Sequence, residues 1–377
     1  MTAFPENLIS KILKRKQENA LRSLDSDHTR VDFSSNDYLG FSNVPLIQKD
    51  FEVSNGSTGS RLLTGNHDGF FSLEGLLSEF HRVEAALVFN SGYDANLGFF
   101  SAIPQRGDIV IYDAFSHASI RDGIQLCLAK SYKFKHNDLE DLKNVLNTHK
   151  FHLGNLYVVT ESVFSMDGDS PDLQAMVELT ERYGAYLIVD EAHGVGVFGE
   201  KGEGLVQSLN LQHRVFARIV TFGKALGCHG AAVLGSELLK VYLYNFARSF
   251  IFTTALSPHS IMVIEDRYSL LNQNSLDSFY KQQRAQLLRN IEFFKAELNS
   301  LGLDKENYVH SDSAIQCIIV PGNEEVKSVA STLQEAGFDV RPILSPTVPK
   351  DHERIRFCLH SFNTFDQITD VLKHLIY

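Results

Sequence analysis

The spacing of apolar and polar positions changes twice along this chain, and each change marks a different kind of structure. Leu8, Ile9, Ile12 and Leu13 recur at helical spacing with lysines and arginines opposite. That pattern predicts an amphipathic helix over residues 6–24, of the kind that packs on a partner surface or domain. Val31 to Gly40 reads as a short strand and a polar turn, and residues 55–69 as a Gly/Ser/Thr-rich loop that is mobile or approaches a ligand. A helix is predicted around Phe71 to Phe80. Then the period shortens. Ala86 to Phe89, Asp108 to Tyr112, Leu156 to Thr160, Tyr186 to Val189, Ile219 to Phe222 and Ala231 to Leu234 are short runs of strand length. Helical patterns open after Asn90, near Ser119 to Ala129 and over roughly 171–183. Such alternation predicts an α/β fold with a large, doubly wound, mainly parallel sheet. Ligands of these sheets bind outside the carboxyl ends of the strands, and each run here is followed by a polar cluster.

The last third changes character. A long amphipathic helix over roughly 275–300 stops at Gly302. Strands are expected at Ile315 to Val320, Val340 to Leu344 and Ile355 to Leu359. Val326, Val329, Ala330 and Leu333 mark a helix stopped by Gly337, and residues 364–376 a closing helix. This is a smaller α+β domain. The expected organisation is an N-terminal helix and strand segment (1–45), a large domain (46–265) and a small C-terminal domain (266–377), the first segment joining the last. A chain of 377 residues agrees with more than one core.

Composition narrows the partners. The net charge of −11 argues against nucleic acid or an anionic membrane as the main partner, though not against a local basic pocket for a phosphorylated ligand. Cys127, Cys228, Cys317 and Cys358 lie far apart with no CxxC pair, as expected of buried thiols in a reducing cytoplasm. Met1 to Leu24 has no apolar core segment, so no signal peptide is expected, and no run approaches a membrane span.

Three motif matches fail on context. Gly194-Val195-Gly196-Val197-Phe198-Gly199 spells a dinucleotide fingerprint, but it lies four residues beyond its strand and no acidic residue follows within 211–225. Asp190-Glu191-Ala192-His193 spells a helicase box without any phosphate loop elsewhere. No HExxH spacing occurs, and no metal is expected. A different combination is coherent. Asn90-Ser91-Gly92-Tyr93 stands where a strand turns into a helix, and backbone N–H groups at a helix start bind phosphate. Asp190 ends a strand, where it could keep a pyridinium nitrogen protonated. Lys224 lies in a Gly-rich turn between two strands, a setting that suits a Schiff-base lysine. Together these are the parts that pyridoxal 5'-phosphate (PLP) needs.

Further motifs extend the pattern: Phe33-Ser34-Ser35-Asn36-Asp37-Tyr38-Leu39-Gly40, Ser116-His117-Ala118-Ser119, Val163 to Asp169, Val189 to Gly194, Thr221 to Lys224, and Arg354-Ile355-Arg356. Through them the chain resembles the α-oxoamine synthases, a branch of the fold-type-I PLP enzymes, over almost its whole length. The resemblance implies a PLP-dependent C-acyltransferase that condenses an amino acid with an acyl thioester, with loss of carbon dioxide. Around Lys224 it is most similar to the branch that uses L-alanine and a pimeloyl thioester for biotin biosynthesis, the alternatives being a glycine and acetyl thioester branch, another α-oxoamine synthase, or a catalytically silent scaffold, against which the intact lysine, aspartate and histidines speak.

The resemblance also implies roles. Lys224 carries the cofactor, Asp190 pairs with its ring nitrogen and His117 stacks on the ring. His193 and Ser165 lie near the ring and its phenolic oxygen. Ser91, Gly92, Tyr93 and Thr221 hold the phosphate, joined by Thr253 or Thr254 from a second subunit. Arg356 grips the amino-acid carboxylate, and Asn36 and Arg22 contact the acyl substrate. An obligate homodimer with its active site at the interface follows, with an acyl-CoA or acyl carrier protein as donor. Cys228-His229 after the lysine turn departs from the family's usual small or hydroxyl pair.

Overall fold

The computed structural model describes residues 4–22, 24, 29–46, 54–273, 275, 278–303 and 307–376. Up to the sheet centre the elements are α1 (Glu6–Gln17), β1 (Val31–Asp32), α2 (Asp68–Phe80), β2 (Ala85–Phe89), α3 (Gly92–Ala102), β3 (Ile109–Asp113), α4 (Ala118–Leu126), β4 (Lys130–Phe134), α5 (Leu139–Thr148), β5 (Leu156–Glu161) and α6 (Leu173–Arg182). There follow β6 (Tyr186–Asp190), α7 (Leu205–Ser208), β7 (Ala217–Thr221), β8 (Ala231–Gly235), α8 (Glu237–Phe246), α9 (Arg248–Ile251) and α10 (Pro258–Leu271). The chain closes with α11 (Phe279–Ser300), β9 (Tyr308–Val309), β10 (Ile315–Ile319), α12 (Asn323–Glu335), β11 (Phe338–Asp339), β12 (Arg341–Ile343), β13 (Arg354–Cys358) and α13 (Phe365–Lys373).

The chain divides into two units. The larger holds residues 36–165 and 170–285, the smaller 1–35, 166–169 and 286–377. These limits differ from those expected at 45/46 and 265/266. Tyr38 bonds His193 and Phe41 stacks on Phe279, which ties the start of the larger unit to its own site. Helix α10 packs on α2, so the division falls inside α11.

The larger unit is built on a seven-stranded sheet in the order β2-β8-β7-β6-β5-β3-β4. The five strands from β7 to β4 pair in parallel, and β8 runs antiparallel to both β7 and β2. Alternate residues serve two cores. Val110, Tyr157, Val159 and Ile188 join the cluster that contains α3 and α4. Ile109, Ile111, Leu156, Val158, Leu187 and Val189 join the one that contains α5 and α6. Burial on both faces explains why these strands read as continuous apolar runs rather than alternating ones. Strand β4 was not expected: four of its five residues are exposed, and it lies at the sheet edge. Helix starts are set by polar caps, among them Ser91, Asp138, Asp172 and Ser257, whose side chains accept from backbone N–H groups of the first turn.

The smaller unit has a four-stranded antiparallel sheet, β12-β13-β10-β9, and a parallel β1–β11 pair. Helix α13 opens with a capping box formed by Thr364 and Gln367. Helix α1 is shorter than the expected 6–24, and Leu8, Ile9, Ile12 and Leu13 are all exposed. Among the described residues no helix is long and apolar enough to cross a membrane, and all four cysteines are free.

Candidate active site

The carboxyl ends of β3, β5, β6 and β7 and of β2 share one edge of the large sheet, which places Asp113, Glu161, Asp190, Thr221 and Asn90 together. Thr221 leads into a turn that Ala231 closes on the returning strand. Within it Phe222 N–H donates to Gly230 O (2.9 Å) and Gly227 N–H to Lys224 O (2.8 Å). Gly227 adopts φ +59°, and a Cβ there would stand 2.2 Å from the Ser42 nitrogen. Only glycine lets the lysine turn approach that backbone. Lys224 is thus held on a rigid turn, with its Nζ 2.6 Å from His193 Nε2. His193, three residues beyond the end of β6, is buried and bonds Tyr38 Oη through Nδ1 at 2.7 Å. The Tyr38 hydroxyl donates to Asn36 Oδ1 at 3.1 Å.

Asp190 is buried. Its Oδ2 accepts from Asn96 Nδ2 (2.8 Å) and its Oδ1 from Ala192 N–H (2.9 Å). Asn96 also donates to Ser119 Oγ at 3.0 Å, and Ser119 Oγ lies 2.7 Å from His117 Nδ1. A polar chain therefore joins Asp190 to His117 through two residues that sequence reasoning did not single out. The His117 ring is open to solvent on one side. Crowding by protein around the rest desolvates it and lowers its pKa against the pull of Asp190, with Lys224 and Arg121 lowering it further. Beneath it His117 N–H donates to Glu161 Oε1 at 2.6 Å. Glu161 is fully enclosed, and burial, reinforced by the Asp190 charge, pushes its carboxyl up to about 8.

Helix α3 opens with backbone N–H groups of the kind that suit an anion. Ser91 caps it by accepting from Asp94 N–H. Gly92 and Tyr93 N–H, in its first turn, find no acceptor among the described residues. A Cβ on Gly92 would lie 3.6 Å from Thr221 Cβ and Oγ1, so glycine keeps the space before that hydroxyl open. Asn90 Nδ2 donates to Thr253 Oγ1 (3.1 Å) and Thr254 O (2.7 Å) of its own chain. The exposed Tyr93 donates its hydroxyl to Asp122. Ser165 is half-buried in the loop after β5.

Lys224, Asp190 and His117 thus lie on the same sheet edge as the α3 start, and these groups suit PLP: orphaned N–H groups for a phosphate, a buried carboxylate for a ring nitrogen and an amine for an aldehyde. Cys228 is removed from the chemistry, its thiol donating to Leu226 O at 3.1 Å and pushed up to about 12 by burial, while His229 is exposed.

The other predicted residues belong to the smaller unit. Arg356 is half-buried on β13, opposite Arg341 of β12. Two residues before it, buried Arg354 is ion-paired with Asp167, which accounts for the aspartate of the Val163 to Asp169 motif. Exposed Arg22 lines a pocket of about 270 Å³ with Arg15, Ala20, Met166 and the segment Pro342 to Thr347.

Comparison with known proteins places these observations. Residues 29–375 match the family of class I and II aminotransferases. An 8-amino-7-oxononanoate synthase from Emericella nidulans is 40% identical over 365 residues, covering 91% of this chain and 88% of the relative. Among solved structures, serine palmitoyltransferase from S. paucimobilis, with a bound PLP-myriocin aldimine, superposes with a TM-score of 0.86 at 27% identity, covering 98% of this chain and 96% of that one. An 8-amino-7-oxononanoate synthase from Francisella tularensis gives 0.75 at 30% identity, covering 93% and 97%.

Proposed function

This chain belongs to the class I and II aminotransferase family, and from that premise we propose that it is a PLP-dependent acyltransferase joining L-alanine to a pimeloyl thioester, releasing carbon dioxide and the free thiol to give 8-amino-7-oxononanoate for biotin synthesis. One observation carries the chemistry: Lys224 Nζ against His193 on the sheet edge that ends in Asp190. The substrate assignment rests on relatives named for this product, at 36–40% identity over about nine-tenths of the chain.

The Gly92 and Tyr93 N–H groups, with Ser91 and Thr221 and with Thr253 or Thr254 from a second subunit, would hold the cofactor phosphate. Asp190 would pair with the ring nitrogen, His117 would cover the ring, His193 and Ser165 would face its phenolic oxygen, and Lys224 would hold the aldehyde. When bound, PLP draws electrons from the amino acid's Cα and so makes its proton removable. Lys224 is the base that takes that proton, and His193 orients the amine. The Cα then bonds to the acyl carbonyl carbon and the thiol departs. The carboxylate leaves as carbon dioxide, and Lys224 returns a proton to Cα. Arg356 would hold the amino-acid carboxylate as a bidentate fork. The pocket with Arg15 and Arg22 joins two cations to an apolar wall, which suits an acyl chain that ends in a carboxylate.

Two apolar patches support a homodimer. A groove of about 450 Å³ in the larger unit is lined by Leu97, Leu126, Phe246 and Phe252, the last 71% exposed. In the smaller unit the stripe of α1 is equally uncovered. The free thiols suit the cytoplasm. The decisive experiment pairs L-alanine, glycine and L-serine with pimeloyl, acetyl and palmitoyl thioesters of coenzyme A and acyl carrier protein. L-Alanine with pimeloyl should give 8-amino-7-oxononanoate. Preference for glycine with acetyl would move the protein to that branch, and no product with any pair would overturn the acyltransferase reading.

A further inference from the structure

Three elements meet at one side chain that no step above uses. Asn96 lies on α3, one turn beyond Gly92, so the two positions share a face of that helix. It is buried, as are Asp190 at the end of β6 and Ser119 in the first turn of α4. Its Nδ2 donates to Asp190 Oδ2 at 2.8 Å and to Ser119 Oγ at 3.0 Å. The carboxylate sets the amide's orientation, because it accepts and the amide oxygen would only repel it. Both amide protons are thus committed, while Asn96 Oδ1 has no partner among the described residues. An unpaired buried acceptor is costly, so a side chain kept for packing alone would be apolar at this place. The two helices approach closely to make the contact. A Cβ on Gly123 of α4 would stand 2.9 Å from Asn96 O and 2.8 Å from Phe100 Cβ, so glycine is what lets Ser119 come within reach of the amide.

We propose that Asn96 is a positioning residue, whose two amide protons hold the Asp190 carboxylate and the start of α4 in one fixed relation. Ser119 Oγ lies 2.7 Å from His117 Nδ1, so the hold on Ser119 extends to the His117 ring. One amide then registers the carboxylate proposed for the cofactor's ring nitrogen against the imidazole proposed to cover the ring. It does so from the helix whose first N–H groups are proposed for the phosphate. The two arms are separable. Without the first, Asp190 keeps Ala192 N–H at Oδ1 and loses its donor at Oδ2. Without the second, Asp190 keeps both donors and only the histidine side is released. The role toward PLP rests on the function proposed above; the hydrogen bonds of Asn96 do not.

The hold itself is tested without PLP, by hydrogen exchange of the Asn96 side-chain amide in the full-length protein, followed by ¹⁵N NMR with labelled asparagine. Its signals are identified by their loss in Asn96→Leu, which keeps the bulk and removes both donors. Both protons should exchange at least about a hundredfold more slowly than those of free asparagine, and Ser119→Ala should release one of them. Two protons that exchange as in free asparagine would overturn the proposal. The consequence is read with PLP carrying ¹⁵N in its ring. That nitrogen should resonate as protonated in the wild type and move toward the unprotonated position in Asn96→Leu. Exchange of the L-alanine α-proton with solvent should slow there by about tenfold or more. Asn96→Ser, too short to span both partners, should behave likewise and covers the case in which leucine does not fit. Ser119→Ala should keep the wild-type nitrogen signal. Signal and exchange rate unchanged in the Asn96 variants, or an equal shift in Ser119→Ala, would refute the assignment. A wild type that takes up no PLP would instead sink the proposed function and the role toward the cofactor with it, a case that the amide protection measured without PLP tells apart.

Discussion

Asp190, Glu161 and Gly92 each owe their character to neighbours from another strand or helix. Asp190 and Glu161 are register partners on β6 and β5, so two carboxyls end side by side in a buried setting. Glu161 yields and keeps its proton up to about 8, against an ordinary value of 4.5. The unfolded chain gives up that proton above about 4.5 while the native chain retains it, so the folded state loses stability as pH rises from there to about 8. Glu161→Gln cannot titrate but still accepts from His117 N–H. Its melting temperature should therefore gain on the wild type across that window and hold a constant lead above it, as calorimetry against pH would show. Gly92→Ala tests the anion site. Gly92 opens a helix without positive φ, and the new methyl meets Thr221 at an ordinary 3.6 Å. Stability should change by less than about 0.5 kcal/mol, while PLP binding weakens at least about tenfold in a titration followed by absorbance. Equal affinity would place the phosphate elsewhere.

At the scale of elements, the lysine turn shows what could be read from primary structure and what could not. Two apolar runs bracket Lys224, and glycine spacing announces the bend, so Thr221, Lys224 and the strands on either side were legible from local pattern. So was Asp190, at the end of another run. Tyr38 and Ser119 stood inside quoted motifs but were given no role, and Asn96 and Glu161 stood outside them, because their partners His193, Asp190 and His117 arrive through tertiary structure. Edge strand β4 escaped for a related reason: it buries one residue of five and has no apolar signature. The turn's own demand is steric. Gly227→Ala would add a left-handed residue at a cost of about 1–2 kcal/mol and press its methyl on the Ser42 nitrogen, 2.2 Å away. We expect urea unfolding to show a loss above 2 kcal/mol by that order-of-magnitude reasoning, together with slower attachment of PLP to Lys224. A loss below about 0.5 kcal/mol would mean that the turn readily moves away from Ser42.

For the whole molecule, exposed apolar surface is the feature that a single chain leaves unexplained. Phe252, Leu126 and Phe246 surround one groove, and surface of this kind marks association. Phe252→Asp would place a charge where a partner must desolvate it. Sedimentation should show the wild type as a dimer and the variant shifted toward monomer at micromolar concentration, with unchanged secondary structure by circular dichroism. A dimer of undiminished strength would put the interface elsewhere.

The sheet order carries a consequence for how the site comes into being. Strand β8 lies between β2 and β7, yet β2 precedes the whole parallel run in sequence and β8 follows it. The N–H groups proposed to hold the phosphate trail β2 and Lys224 trails β7, so these two parts come together only when the last strand inserts between strands already made. Such pairing of remote segments is intrinsically slow. During refolding from urea, helical signal should recover before the cofactor's absorbance shifts, and that shift should follow the slowest phase. Added PLP should leave the early phases untouched and slow unfolding, because only the completed sheet has anything to hold it. In this protein the cofactor would act as a timekeeper, and its colour would appear at the moment when two strands remote in the chain have closed on the strand between them.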